Sequence, residues 1–452
     1  MRVHAGVGAR PGTDEPPGSG LVLAALAAAW IVVLALYLRH TIVLSSDSVN
    51  NHVHVWYIAH DLWHHGRLPW RMPVLAHGEA YAYPYGFVNW TTAALVWPLF
   101  GDWTVTLWTA LGATGCIVAT FAAFPELRRG WWAAAVLANP AILEALLFGQ
   151  QSFAWGAMLL LFGVAAWRRG HLAWAAILVG VGQANHAAIV LPIGVLLVAY
   201  YLPFARDRRE LLRWYALSCA IALPAVWLVL ASPTTAESTV GTEVSNFLIT
   251  IGPRIIIVGL PVICVLLQRT GLRALAPVGV VFALVAHLSF EIPLNVGQQW
   301  HALVENGTDT ATLDAYLRSP GFAPGETYRV LRGGDGKLGS YHVLRAGGRL
   351  DSEMFPESMA IRSFRDPGDY ASLLCDRRVD RIIHYDTYDA ARHTNEEPMI
   401  DALERATVDD VRLRKVASGP GWKVDAVERA GCSPALRSAS ADGVPRSAVH
   451  GA

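Results

Sequence analysis

Between residues 21 and 291 apolar runs follow one another, and arginine clusters fall in every second connector between them. The runs lie near 21–38, 103–124, 131–148, 152–167, 171–186, 187–204, 212–231, 246–267 and 274–291. The first is uncharged and long enough to cross ~30 Å of hydrocarbon. It is long for a signal-peptide core and no small-residue cleavage site follows, so it reads as a span. Arg128–Arg129, Arg168–Arg169, the group Arg206, Arg208, Arg209 and Arg213, and Arg269 with Arg273 occupy alternate connectors. The connectors between them, GQQS at 149–152, GQANH at 182–186 and the stretch 232–245, carry no such cluster. Excess Lys and Arg mark the cytoplasmic side of short loops. A cytoplasmic N-terminus and about nine spans, between eight and eleven, then place all four clusters inside. The same threading puts the 39–90 loop, both Gly-Gln turns, 232–245 and everything after 291 outside.

The expected fold is therefore a polytopic α-helical membrane protein with a C-terminal extracytoplasmic small α/β domain. Residues 1–20, rich in Gly and Pro, form a disordered cytoplasmic lead, and 21–291 form the membrane domain. Residues 292–432 form the α/β domain, and 433–452 a disordered tail of low complexity. Composition agrees with this split. The chain is 53% hydrophobic and 16% charged, against about 25% charged in soluble domains. Every lysine (Lys337, Lys415, Lys423) lies after residue 291. Balanced charge, with 36 basic and 36 acidic residues, gives no reason to expect nucleic acid as a partner.

In the tail, Ala311–Leu317, Asp369–Cys375 and Pro398–Ala406 read as helices. Thr327–Leu331, Ser340–Leu344, Val379–Tyr385, Asp410–Val416 and Trp422–Val427 read as strands. Thr91–Phe100 is apolar but too short to cross, and reads as interfacial or re-entrant. Cys116, Cys219 and Cys264 sit in apolar runs as small hydrophobes. Cys375 and Cys432 form a disulfide if the tail is outside and stay free thiols if it is cytosolic.

The candidate chemistry gathers in and around the loop after the first run. Asp47 follows that run closely, so it belongs near the outer surface as a general base for an acceptor hydroxyl or as a cap for the helix starting near Ser48. Six histidines crowd the stretch from Ser45 to Trp90: His52, His54, His60, His64, His65 and His77. His60 and His64 share a helical face at metal-ligand spacing, but no HExxH or comparable signature accompanies them. Their tryptophan neighbours favour an aromatic belt or substrate hydrogen bonds, and no metal ligand is assigned. Arg254, inside an apolar run with no acid near in sequence, needs an anionic partner or a path for snorkelling. A lipid phosphate suits a guanidinium. Glu144 and His186 lie toward the outer ends of runs, and the Gly149–Gln150 and Gly182–Gln183 turns offer amides on the same side.

The first span with its long outer loop and early Asp47 resembles the GT-C superfamily of integral-membrane glycosyltransferases. So do the loop's GRLPW and YAYPYGFVNW segments, the NP…GQ stretch from Asn139 to Gln150, and the outer soluble tail. Within it the polyprenyl-phosphate-sugar-dependent mannosyl- and arabinosyltransferase-like members look most similar. The superfamily often carries a paired or spaced acid motif, whereas Ser48 and Val49 follow Asp47 here. The resemblance implies inverting transfer from a polyprenyl-phosphate sugar to a glycan or lipid acceptor, on the outer face of the plasma membrane within the cell envelope. It makes Asp47 the base, Arg254 the donor-phosphate ligand, and Glu79, His52, His54 and Gln150 sugar or acceptor contacts. Glu144 and His186 complete the outward-facing polar set. Arg254 or a divalent ion such as Mg or Mn would neutralise the leaving phosphate. The rival readings are a non-catalytic membrane protein of the same fold with a binding or assembly role, and a transporter. No internal repeat supports the transporter.

Overall fold

A computed structural model describes residues 18–43, 47–78, 80–83, 85–205, 207–231, 240–289, 310–331, 336–351, 364–385 and 396–430. The chain divides into two compact units. One takes in residues 1–73 and 78–307, the other 74–77 and 308–452.

The described part of the first unit is mainly helical, with one antiparallel bridge between Arg71 and Tyr81 in the loop after α2. In chain order its helices are α1 (Ser19–Tyr37), α2 (Ser48–His65), α3 (Phe87–Phe100), α4 (Trp103–Ala123), α5 (Gly130–Leu137) and α6 (Pro140–Leu147). They continue with α7 (Gln151–Arg168), α8 (Leu172–Asn185), α9 (Ala187–Tyr201), α10 (Arg208–Ala231), α11 (Val240–Arg269) and α12 (Ala276–Ser289). Among the described residues three stretches are long and apolar enough to cross a membrane: Ser19–Tyr37, Trp103–Ala123 and Gly130–Leu147. That is fewer than the nine spans expected. The helices α8 and α9 have 14 and 15 residues, or about 21–23 Å at 1.5 Å per residue. The outer surface is apolar, with Leu21 and Leu99 78% and 77% exposed, as suits a body solvated by lipid.

Three expectations change. The run 131–148 is two eight-residue helices, because Pro140 opens a new helix with Asn139 as its N-cap, the Asn139 side chain accepting from Ala141 N at 3.1 Å. Thr91–Phe100 is the body of a longer helix, α3, which starts at Phe87 after Gly86. The helix bearing Arg254 begins at Val240, six residues before the run expected from 246, so Arg254 lies near its middle. Of the expected 232–245 loop, residues 232–239 lie outside the described residues.

The core between α4, α6 and α7 is built largely from alanines with Phe153, Leu160 and Leu161. Small residues let backbones close on each other. A Cβ on Gly156 would stand 2.9 Å from Gly182 O, and one on Gly182 would stand 2.7 Å from Gly156 O, so α7 and α8 touch there backbone to backbone.

The second unit carries the helices α13 (Thr310–Leu317), α14 (Gly336–Arg345), α15 (Pro367–Asp376) and α16 (Glu396–Arg405). Its strands are β1 (Thr327–Val330), β2 (Arg349–Leu350), β3 (Arg381–Tyr385), β4 (Val411–Gly419) and β5 (Trp422–Arg429), in sheet order β2-β1-β3-β5-β4. The first three strands in that order run parallel, and the last two join antiparallel. Tyr370 and Leu374 of α15 and Ile400 and Leu403 of α16 pack with Ile382, Val411 and Leu413. Val74–His77 belongs with this unit, Val74 O accepting from Leu350 N at 2.8 Å. Most of the expected tail elements form. Ser340–Leu344, expected as a strand, is instead inside α14, where Leu338, Tyr341 and Leu344 recur at helical spacing and are buried. Cys375 is disulfide-bonded; its expected partner, Cys432, lies outside the described residues.

Candidate functional site

Asp47 directly precedes α2 but does not cap it with its side chain. Its backbone does the anchoring. Asp47 N donates to Phe148 O at 3.0 Å, and Asp47 O accepts from Asn51 N at 3.1 Å and Asn51 Nδ2 at 2.9 Å. Asn51 Nδ2 also donates to Gly149 O at 2.7 Å, so the start of α2 is tied to the Gly149–Gln150 turn. Gln150, buried in that turn, accepts from Arg254 Nε at 2.9 Å. Arg254 Nη2 lies 3.4 Å from Glu144 Oε1, and its guanidinium stands 6.0 Å from the Phe153 ring centre. The anionic partner that Arg254 lacked in sequence is thus Glu144, on α6.

Tyr85 and His186 close the same end of the bundle. Their rings stack with centroids 5.2 Å apart, and Tyr85 lies 5.1 Å from Trp90. Burial raises the Tyr85 pKa well above its ordinary value; the Asp47 carboxylate adds to this and Arg254 opposes it. Tyr85 therefore lies within the field of both charges. Burial, and then the Arg254 charge, push His186 down to about 4, so at neutral pH it is an uncharged ring.

A lattice of buried amides holds these pieces. Trp90 Nε1 donates to Asn51 Oδ1 at 2.8 Å, and Asn89 Nδ2 to Gln151 Oε1 at 3.1 Å. Asn185 Nδ2 donates to Ser152 O at 2.9 Å, and its Oδ1 accepts from Asn89 N at 3.2 Å. Gly86, at φ 75°, donates to Asn185 O at 2.8 Å, and a Cβ there would fall 2.5 Å from Ser152 Oγ. On the far side, Asn139 Nδ2 donates to Ile256 O at 3.2 Å and to Ile257 O at 3.4 Å, one turn beyond Arg254. Each amide of this lattice is engaged through at least one atom, while Asn89 Oδ1, Gln151 Nε2 and Ser152 Oγ are buried without a hydrogen-bond partner among the described residues.

The structure thus brings together Asp47, Glu144, Gln150, His186 and Arg254. It does not bring in His52 and His54 directly. His52 is buried with its ring nitrogens 2.9 Å from Ser48 O and 3.1 Å from Asp102 O. His54 stacks on Trp90 at 4.5 Å with Nδ1 2.9 Å from Ala82 O. Both pack α2 against its neighbours. Glu79 lies outside the described residues. His60 and His64 do share a face, their rings stacked at 4.4 Å. Among the described residues no group of three or more His, Cys, Asp or Glu is placed to hold a metal ion. Sequence reasoning missed Tyr85, Asn51, Asn89 and Asn185. The clustering of amides beside aromatic residues in NNHVHVW, GFVNW and GQANH was the available signal.

No family model and no curated protein matches the chain. Two solved structures resemble it in fold. One is the oligosaccharyltransferase of Archaeoglobus fulgidus in the apo form, at 11% identity and TM-score 0.42, covering 80% of this chain and 69% of that one. The other is ArnT from Cupriavidus metallidurans bound to undecaprenyl phosphate, at 14% identity and TM-score 0.44, covering 92% of this chain and 99% of that one. At TM-scores below 0.5 neither carries an inference about what this chain does.

Proposed function

We propose that this chain is a multi-pass membrane glycosyltransferase of the GT-C type. It transfers a sugar from a polyprenyl-phosphate donor to a hydroxyl of a glycan or lipid acceptor at the outer face of the plasma membrane. The observation that carries the reading is that Asp47 and Arg254 both tie into the Phe148–Gln150 turn at one end of the helical bundle, Asp47 N donating to Phe148 O and Arg254 Nε to Gln150 Oε1. The alternation of basic connectors supports an outward orientation of that end, and the disulfide at Cys375 suits an oxidising compartment for the second unit.

In this scheme the acceptor hydroxyl gives its proton to the Asp47 carboxylate as its oxygen attacks the anomeric carbon. The bond from that carbon to the phosphate oxygen breaks, and polyprenyl phosphate leaves with the electron pair. Arg254 meets the charge that develops on the leaving phosphate, which is where a fixed cation stabilises the transition state. Gln150 and Glu144 hold the guanidinium in orientation. A single displacement inverts the anomeric centre. Arg254 supplies the neutralising charge on its own or together with a divalent ion such as Mg or Mn.

The test is transfer in proteoliposomes supplied with a polyprenyl-phosphate sugar. Removing a general base by Asp47→Asn should lower kcat by about 10²–10⁴-fold with donor retention unchanged. Full activity in that variant would remove the base. A parent chain that binds donor without transferring it would be a binding or assembly protein instead.

A further inference from the structure

Tyr85 occupies the turn before α3, and its neighbours hold it in place. The next residue, Gly86, takes a left-handed φ of 75° and donates its amide to Asn185 O at 2.8 Å. The Tyr85 ring stands 5.1 Å from Trp90 and 5.2 Å from His186, centroid to centroid. Trp90 in turn stacks on His54 at 4.5 Å. A run of ring contacts therefore joins α2, α3 and the connector from α8 to α9. His54 and Trp90, at one end of the run, are buried, whereas Tyr85 and His186 at the other are half-buried. The inner rings support the outer two, and the outer two are the ones that a ligand can reach.

The run ends beside the two charges of the candidate site. Trp90 Nε1 donates to Asn51 Oδ1 at 2.8 Å, and Asn51 Nδ2 donates to Asp47 O at 2.9 Å and to Gly149 O at 2.7 Å. Tyr85 is thus two side chains away from Asp47 and from the turn whose Gln150 receives Arg254. Asp47 is half-buried, and the Arg254 and Glu144 side chains are 13% and 23% exposed, so each of these charges keeps a way out of the packed interior. The charges of Asp47 and Arg254 both act on the Tyr85 phenol, with opposite sign.

In a single displacement the anomeric carbon lies in line between the attacking oxygen and the leaving phosphate oxygen. With the base at Asp47 and the phosphate at Arg254, the sugar ring fills the ground between them. A side chain that adjoins both charges borders on that ring. A phenol offers one donor and one acceptor, which suits a sugar hydroxyl. Braced by Trp90 and His186, it loses little freedom on making the contact.

We propose that Tyr85 touches the sugar of the donor, its hydroxyl bonding a sugar hydroxyl while Trp90 and His186 hold its ring, and so helps to set which sugar is accepted. The inference rests on the glycosyltransferase reading and adds to it a contact that recognises the sugar rather than the phosphate or the lipid chain.

The test uses the full chain purified in mild detergent and incubated with bare polyprenyl phosphate or with polyprenyl-phosphate mannose, glucose or arabinose, with retention read by native mass spectrometry. The parent should hold one sugar-bearing lipid more tightly than the bare lipid. Tyr85→Phe, which removes a single oxygen, should weaken that retention by roughly fivefold, as for one hydrogen bond between uncharged groups, and leave bare polyprenyl phosphate as the parent holds it. Equal weakening of both lipids would make Tyr85 a support of the phosphate site, and unchanged retention of both would put it out of the sugar's reach; either result overturns the proposal. A parent that holds no sugar-bearing lipid above the bare one would overturn the glycosyltransferase reading and this contact with it, and that failure shows before any variant is made.

Discussion

Arg254 Nε donates to Gln150 Oε1 at 2.9 Å across 104 positions of sequence, while Glu144 takes the Nη2 side of the same guanidinium at 3.4 Å. A cation in an apolar helix is thereby neutralised and aimed, and in the proposed function its affinity for a donor phosphate would depend on residues that need never touch the donor. Gln150→Leu removes the aim and keeps the charge. Donor KM should rise by about tenfold, the equivalent of one hydrogen bond to a charged group, with kcat changed less. Arg254→Gln should lower both kcat and donor retention. Unaltered donor titrations in both variants would take Arg254 out of the phosphate site.

Gly86→Ala tests the amide lattice. The new methyl falls 2.5 Å from Ser152 Oγ at a residue with φ 75°. It should destabilise the first unit by about 1–3 kcal/mol, lowering the melting temperature and altering Trp90 fluorescence. A variant that melts with the parent would show that the approach of α3 to the Ser152 turn is loose.

Acid should loosen α2. Burial holds His54 down to about 4, whereas an unfolded histidine titrates near ~6.5. Between those values the unfolded state binds a proton that the folded state refuses, so stability falls as pH falls through the window. His52, also buried and lowered, adds to the effect. His54→Phe keeps a ring on Trp90 and should flatten part of that dependence. Hydrogen exchange of α2 at pH 7 and pH 5 measures it. Equal acid sensitivity in the variant would exclude His54 as a source.

Asp425 works in the opposite sense in the second unit. It is fully buried on β5, and burial, then the charge of Glu404, raise its pKa to about 6. An unfolded aspartate titrates near ~3.9, so in the window between, the folded state holds the extra proton. Stability therefore declines as pH rises from about 4 to 6 and stays lower above. Asp425→Asn should stabilise this unit at neutral pH by on the order of 1 kcal/mol and remove the slope. A loss of stability at pH 7 would mean that the carboxylate has a partner worth keeping.

Much of the helical body was legible because apolar runs and basic connectors are local features. The break at Asn139–Pro140 had a local signal, an Asn before a Pro that opens a helix, but the apolar residues on both sides of it read as one run. Ser340–Leu344 misled because five residues with valine and tyrosine fit two periods; only Leu338, upstream, settles the helix. At the site, Glu144 and Arg254 stood out because ionisable groups are rare in apolar runs. Tyr85 and the asparagines did not, because their partners lie far along the chain: Asn51 bonds Gly149 O across 98 positions. His52 and His54 drew attention as titratable residues, yet backbone carbonyls and Trp90 occupy them, and no local pattern reveals that.

The bonds from Asn139 to Ile256 O and Ile257 O have a mechanical consequence. Sliding α11 along its axis by one turn, about 5.4 Å, would break both, so Arg254 is held at a fixed height along the helical bundle. A charge held at one height reads thickness. In membranes a few ångströms thicker or thinner, a lipid's phosphate meets that height only if the bilayer deforms, at fractions of a kcal/mol per Å. If the chain transfers sugar as proposed, its turnover should therefore peak in lipids of one acyl length, and Asn139→Ala should broaden that peak.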